Sequence, residues 1–339
     1  MIVKKIPILQ GFPTLETVKY LSNTKNELSE YNPIFYDIET TGLSRYTAFV
    51  YLIGAVRFEE NQWMLYQWMG EDENEEALVL QEFASFLTNA DCTIQYNGNR
   101  FDQPFLEERY RKHKMDTPFK EILSLDLYQL LKPCQSLFKL SKMKQPDLEN
   151  FVGIHNRKYC DGGQCIRLYK TFMKKKDPEA ANIVMGHNEE DLLGLGTIFS
   201  LLAYKKLYDG EYHPKQCVIL EQELKIVIEL SAAPVNVSCG NSDFYLSVNG
   251  YEARMLVHLK EGKLRQYYRN YKDYEFIPGE DTAMPKSITR YMDKSLKIAT
   301  TPQTCYTWFN CDEDFLNNEK KQMQYLTHTL PFFLDNLNK

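Results

Sequence analysis

Cysteine is scarce in this chain of 339 residues: there are eight, Cys92, Cys134, Cys160, Cys165, Cys217, Cys239, Cys305 and Cys311, at irregular spacing. So low a density in so long a chain argues against a disulfide-stapled secreted module and for reduced thiols. The closest pairs, Cys160/Cys165 and Cys305/Cys311, lack the two-residue spacing of a zinc knuckle, and no nearby His completes a set. Long apolar runs are missing too. The least polar stretch, Leu192 to Tyr204, falls short of the roughly 20 residues that a bilayer helix needs. The N-terminal MIVKKIPILQGF is broken by Pro7 and offers no small-residue cleavage site, unlike a signal peptide. The expectation is a cytoplasmic protein that does not span a membrane. Excess positive charge is also absent: Lys+Arg 40 against Asp+Glu 46 gives −6. That balance excludes a basic coat gripping polyanions over its whole surface, but not a small local site that meets nucleic acid.

What is present is an ordinary globular composition, 43% hydrophobic and 25% charged, enough to bury a core. The length leads us to expect about two domains. Ile34–Ile38 reads as a buried strand closed by Thr40-Thr41-Gly42; Phe49–Phe58 and Trp63–Met69 read as a hairpin around Glu59-Glu60-Asn61-Gln62. Ala77–Leu87 is helical, Thr93–Tyr96 a strand and Asp102–His113 again helical. Strand, hairpin, helix, strand, helix is an α/β pattern. From Ser124 to Lys176 the pattern is mostly helical, with loops at Lys132-Pro133 and Gly162-Gly163. Pro178 opens a long helix to about Tyr208. Beyond it come the strands Val218–Leu230, Phe244–Val248, Ala253–Leu259 and Lys263–Tyr268, with turns at Asn249-Gly250 and Glu261-Gly262, and a helix over Leu316–Leu337 interrupted at Pro331. We therefore expect a leader over residues 1–30, an α/β domain over 31–210 and a β-rich domain with a C-terminal helix over 211–339.

Four acids stand out. Asp37 and Glu39 lie two apart on one strand and leave the same face of the sheet. Asp102 follows a predicted strand and opens a helix, at the carboxyl end of a strand, where α/β sheets hold their ligands. Asp191 lies four residues after His187 on one helix face. Each has a bland reading: a solvated strand end for the first pair, an N-cap for Asp102, a satisfied core pair for His187 and Asp191. Together they match what hard divalent ions such as Mg²⁺ or Mn²⁺ bind, and two such ions can activate a water and stabilise a leaving phosphodiester oxygen. A nearby His can orient or deprotonate that water.

These residues resemble the signature of the DEDD superfamily of 3′→5′ exonucleases. Asp37-Ile38-Glu39-Thr40-Thr41-Gly42-Leu43 is similar to its first motif, Asn97-Gly98 with Phe101-Asp102 to its second and His187-Asn188-Glu189-Glu190-Asp191 to its third. Tyr51-Leu52-Ile53-Gly54, and Asp161-Gly162-Gly163 with Ile166 and Tyr169, resemble the bacterial YprB-like group of ribonuclease H-like proteins. The likeness spans roughly residues 30–205. It implies a ribonuclease H-like mixed sheet flanked by helices, followed by the smaller β-rich part. It also implies a metal-dependent 3′→5′ exonuclease of single-stranded DNA or RNA, with Asp37, Glu39, Asp102 and Asp191 binding two Mg²⁺ or Mn²⁺ ions. His187 would then be catalytic and Asn97 and Thr40 substrate-binding or supporting. The well-studied branches place a Tyr four residues before the last Asp or a His five before it; here His187 holds the Tyr-like spacing, which leaves its role as general base open. Asn97 reads equally well as an Asx-turn residue. Asp126 is a further acid of the region, better read as a helix N-cap.

In the β-rich part, Lys263, Arg265, Tyr267 and Arg269 interleave bases with aromatics, as a strand that tracks a phosphate backbone would; an exposed ordinary strand has the same look. A competing reading keeps the fold without turnover, as a binding or assembly module. A third makes the acids one structural Ca²⁺ site, which their dispersal over three elements disfavours. The sequence is silent on oligomeric state.

Overall fold

The computed structural model describes residues 1–22, 31–155, 157–159, 162–230 and 235–337. The chain forms two compact units, one of residues 1–132 and 142–202, the other of 133–141 and 203–339.

The first unit is built on a six-stranded sheet of order β1-β4-β3-β2-β5-β6. Its strands are β1 (Ile2–Ile8), β2 (Pro33–Thr40), β3 (Val50–Glu59), β4 (Gln62–Met69), β5 (Cys92–Gln95) and β6 (Leu123–Asp126), and its helices are α1 (Leu15–Ser22), α2 (Glu76–Phe86), α3 (Asp102–Lys112), α4 (Leu127–Leu131), α5 (Gln145–Phe151), α6 (Gly162–Lys175) and α7 (Pro178–Phe199). The sheet is mixed: β2, β5 and β6 run parallel, whereas β1, β4, β3 and β2 pair antiparallel. β2 and β3 are buried on both faces, so they read as continuous apolar runs and not as alternation. On one face Ile34, Tyr36 and Ile38 pack against Val79, Leu80 and Phe83 of α2 and Phe105 and Tyr110 of α3. On the other, Tyr51 and Met69 pack against α6 and α7, and Tyr51 stacks on Tyr169 at 3.9 Å between ring centroids.

The second unit holds α8 (Leu202–Asp209) and the antiparallel sheet β7-β8-β11-β10-β9, formed by β7 (Tyr212–Leu220), β8 (Glu223–Leu230), β9 (Val237–Gly240), β10 (Phe244–Asn249) and β11 (Glu252–His258). Two smaller sheets follow: β12 (Lys263–Tyr267) with β16 (Tyr306–Asn310), and β13 (Tyr274–Ile277) with β14 (Thr282–Pro285) and β15 (Ile298–Ala299). The helices α9 (Lys286–Thr289), α10 (Glu313–Leu316) and α11 (Glu319–Asp335) complete it. Burial alternates along β10 and β11, as it does when one face of a sheet is covered. Tyr267 stacks on Phe332 of α11 at 3.7 Å, and Phe244 on Phe333 at 4.1 Å.

The α/β fold with a β-rich C-terminal part is the architecture expected. Several elements differ. The segment taken for a leader contributes β1, an edge strand paired along its length with β4; Pro7 fits there because an edge position needs no second ladder donor. The opening of the stretch read as helical is β6, Leu-Ser-Leu-Asp, whose four residues are too few for their alternation to stand out from a helical context. Gly162 and Gly163 open α6 and do not form a loop. The helix from Pro178 breaks at Ser200 and Leu201 before α8. The run 218–230 is a hairpin turned at Glu221, φ 55°, a turn hidden by the lack of glycine. Pro331 lies inside α11 without ending it, because buried Leu330, Phe333 and Leu334 hold the turn around it. The seven described cysteines are free and buried. Among the described residues, no helix is long and apolar enough to cross a membrane. Asp161 lies outside the described residues.

Candidate functional site

The odd residues of β2 face α7: Phe35 packs edge-on to Phe199 at 5.5 Å, and period-two alternation sends Asp37 and Glu39 the same way. A close approach of helix to strand is needed to bring the third motif over them, and Gly54 on β3 provides it. Gly54 is the register partner of Asp37; a Cβ there would lie 2.0 Å from Asn188 Oδ1 and 2.6 Å from Leu192. Asn188 uses that space. Its amide nitrogen donates to Asp37 Oδ2 at 2.8 Å, and its oxygen accepts from Gln67 Nε2 at 2.9 Å.

One turn on, His187 and Asp191 project from the same face of α7. His187 Nε2 lies 3.1 Å from Asp191 Oδ2 and 3.4 Å from Glu39 Oε1, while its Nδ1 is buried and has no hydrogen-bond partner. Donor atoms of Glu39, His187 and Asp191 all fall within 4.8 Å of one another. Tyr51 donates to Glu39 Oε2 at 3.4 Å. Asp102 begins α3, but the capping position is Phe101, so the carboxylate is not spent as an N-cap.

These four acids are mutually uncomfortable. Burial, reinforced by the charges of Asp191, Asp102 and Glu39, holds the Asp37 carboxyl well above its usual range, against the pull of the Asn188 hydrogen bond. Burial raises Glu39 likewise, with Asp191 and Asp102 adding to it and the Tyr51 hydroxyl opposing. Asp102 is pushed up to about 7, mainly by burial; backbone N–H groups, its own and that of Ile38, oppose the shift. Asp191 is also raised by burial, and His187 and Arg157 pull it down. Like charges crowded out of water are what a divalent cation relieves, and hard carboxylate oxygens beside an imidazole are donors that Mg²⁺ or Mn²⁺ accepts. The residues present therefore fit such ions, with Asp37, Glu39, Asp102 and Asp191 as donors and His187 beside them.

Sequence reasoning missed two members of this neighbourhood. Arg157 Nη1 reaches Asp191 Oδ1 at 2.5 Å, and the same guanidinium grips buried Glu149 through Nε at 2.8 Å and Nη2 at 2.6 Å. Glu149 fits against α7 because residue 194 is glycine: a Cβ there would lie 2.0 Å from Glu149 Oε1. Neither residue belongs to a motif or a periodic face, so nothing in the sequence marked them. Asp126 does cap α4, accepting from Tyr128 N at 3.0 Å. It also accepts from the backbone N–H of Asn97 at 2.9 Å and of Asn99 at 3.2 Å, and so clasps the loop before Asp102. Asn97 is a turn residue of that loop, at φ 59°. Thr40 donates to the Gly42 carbonyl at 2.9 Å. Lys263, Arg265, Tyr267 and Arg269 lie in the second unit; Tyr267 is buried under Phe332, and Arg269 pairs with Asp335 at 3.2 Å.

A mixed sheet with helices on both faces and acids gathered around its central strand defines a ribonuclease H-like α/β protein. The chain belongs to the RNase H superfamily, whose family profile matches residues 34–203, half of its length. RNase H-like nucleases generally use divalent metals. The chain is similar to an uncharacterized protein, YprB, of Bacillus subtilis (strain 168), with 28% identity over 192 residues, 55% of this chain and 45% of that relative. The chain thus spans less than half the length of the curated relative it matches. Among solved structures, the family B DNA polymerase of the hyperthermophilic archaeon Pyrobaculum calidifontis aligns with 91% of this chain and 46% of its own, at 12% identity and a TM-score of 0.42.

Proposed function

We propose that the chain is a metal-dependent 3′→5′ exonuclease of single-stranded DNA or RNA. One observation carries this reading: four carboxylates from three elements converge with raised pKa values, and among the described residues Arg157 reaches only Asp191 of the four. Two divalent ions held by Asp37, Glu39, Asp102 and Asp191 would supply water activation and stabilisation of the leaving oxygen. The chain's own residues set the stage. Asn188 fixes the Asp37 rotamer, Tyr51 orients Glu39, and Asp126 holds the loop that presents Asp102. His187 positions the attacking water through Nε2, the ring nitrogen that faces the carboxylates.

A second reading of His187 is favoured by its grouping with Glu39 and Asp191: Nε2 is itself a ligand. Electron spin echo spectra of the Mn²⁺ complex decide between the two, since ¹⁴N coupling lost in His187→Asn marks a ligand.

The function is tested with 5′- and 3′-labelled single and double strands in Mg²⁺ and Mn²⁺. Wild type should shorten single strands from the 3′ end, and Asp37→Ala should lose several kcal/mol of transition-state stabilisation, about a thousandfold in rate. Purified wild type without activity on any substrate would overturn the enzyme reading in favour of a binding or assembly module.

A further inference from the structure

The second unit carries a concave surface lined by cations, acids and aromatic rings. The turn Glu261-Gly262, with φ 53° and 74°, closes a tight hairpin in which Lys260 and Lys263 exchange backbone hydrogen bonds of 3.0 Å. From that turn β12 places Lys263, Arg265 and Tyr267 on one face. Arg265 is the register partner of Trp308 on β16. Its guanidinium lies 4.7 Å from the Trp308 ring and 4.6 Å from that of Tyr306, and Lys260 Nζ approaches the Trp308 ring at 5.5 Å. Beside them is a cavity of about 230 Å³ lined by Lys260, Arg265, His258, Tyr267, Trp308 and Asp243. A second hollow of about 440 Å³ shares Lys260 and Trp308 and adds Lys263.

Some cations of the unit are spent in ion pairs. Arg254, Arg269, Lys297 and Lys321 each hold an acid in a salt bridge. Lys260, Lys263 and Arg265 hold none among the described residues, and Arg265 Nε is buried with no hydrogen-bond partner. Four acids line the two hollows. Asp281 is engaged by the Tyr306 hydroxyl at 2.6 Å and by Trp308 Nε1 at 3.2 Å, while Asp243, Glu261 and Glu280 stand on the walls. An arginine stacked on rings has its plane fixed, and its remaining N–H groups form a preorganised fork for an oxyanion. The cavity is smaller than the roughly 300–1,000 Å³ of whole-ligand sites, so it suits one unit of a longer ligand.

We propose that this cavity holds one nucleotide of a single-stranded nucleic acid, its phosphate between Lys260 and Arg265 and its base against the aromatic lining. The proposal rests on the nucleic-acid reading of the first site. A base reaches such a cavity only when it is free of a duplex partner, and stacking on aromatic side chains is indifferent to sequence.

The test is fluorescence anisotropy of a labelled oligothymidylate on the full chain in EDTA, where no cleavage occurs. Trp308→Ala should weaken binding about tenfold, the scale of one base–aromatic contact. Lys260→Ala, at an exposed position, should lower the slope of log affinity against log salt by about 0.7. Arg265→Lys keeps the charge and loses the fork, so affinity should fall at an unchanged slope. Trp63 and Trp68 are buried, 5% and 4% exposed, so quenching of tryptophan emission by the oligonucleotide should vanish in Trp308→Phe. Unchanged affinity and salt slope in Lys260→Ala and Arg265→Lys, no oligonucleotide binding by wild type, or equal affinity for a duplex would overturn the proposal. Hydrolysis of thymidine 5′-(p-nitrophenyl phosphate) by wild type in Mn²⁺ reports on the first site alone. Its absence would count against the nuclease reading and leave the binding result standing.

Discussion

The sheet unit buries acids, whereas the β-rich unit leaves its described acids exposed or half-buried. In the sheet unit the buried acids fall into two kinds. Glu76 is held by Arg109 Nε at 2.7 Å and Nη2 at 2.6 Å, by His113 at 2.7 Å and by the Val50 N–H at 2.8 Å; Glu149 is held by Arg157. Asp37, Glu39 and Asp102 have no arginine or lysine partner among the described residues. In the β-rich unit pairs such as Arg254 with Glu252 and Arg269 with Asp335 are exposed, and the cations around Trp308 hold no acid among the described residues. The difference teaches how to separate scaffold from site. A buried acid met by a cation, as Glu76 is, or by several backbone N–H donors, as Asp126 is, completes the structure, whereas buried acids crowded against one another await a charge from outside. A net charge of −6 therefore says little about either site, because what decides is which charged groups are already paired.

The sharpest way to break that comparison is Arg109→Ala. Removing the guanidinium leaves Glu76, 2% exposed, as an uncompensated buried charge. The expected cost is about 3–5 kcal/mol in equilibrium denaturation. A loss below about 1 kcal/mol, the surface-pair range, would mean that burial does not distinguish the two units.

Next in size is a pH effect confined to the unpaired acids. In the unfolded chain carboxylates titrate near 4, while Asp102 in the folded protein is raised to about 7. Between those values the folded state binds a proton that the unfolded state lacks, so metal-free stability declines as pH rises through the window. A divalent ion neutralises the same carboxylates and stabilises the folded state by binding it. Mn²⁺ should therefore raise the melting temperature more at pH 8 than at pH 5, and Asp102→Asn should flatten the metal-free decline. Equal gains at both pH values would place the ion elsewhere.

How far the sequence reveals this follows from where the information lies. The strands β2 to β5, and Asp37, Glu39, Asp102, His187 and Asp191, are legible because they sit in contiguous runs with a period or a motif. The grip of Arg157 on Asp191 and Glu149 is not, since it joins a loop to two helices and depends on the space left by Gly194. β1 is hidden by its proline, and the turn at Glu221 by its lack of glycine. In the β-rich part, Lys263, Arg265, Tyr267 and Arg269 read alike as an alternating strand, yet they separate in three dimensions. Tyr267 is packed under Phe332, Arg269 is paired, and only Arg265 lies between rings that strand β16 brings from about 40 residues away. Pairing of distant strands is what a local pattern cannot carry.

The smallest expected effect falls on a pair in the β-rich unit. Arg269 and Asp335 meet at 3.2 Å with side chains 53% and 44% exposed, where water screens the attraction and ordering two long side chains offsets it. Arg269→Ala should change stability by less than about 1 kcal/mol, read as a denaturation midpoint nearly unmoved. The same variant separates two views of the bases first read as one interleaved strand. If all four served the nucleic acid alike, Arg269→Ala would lower the salt slope of oligonucleotide binding as much as Lys260→Ala does. If Arg269 is spent on Asp335 and the cations around Trp308 are free, its removal should leave that slope nearly unchanged, because a charge already paired releases few counterions when the strand binds.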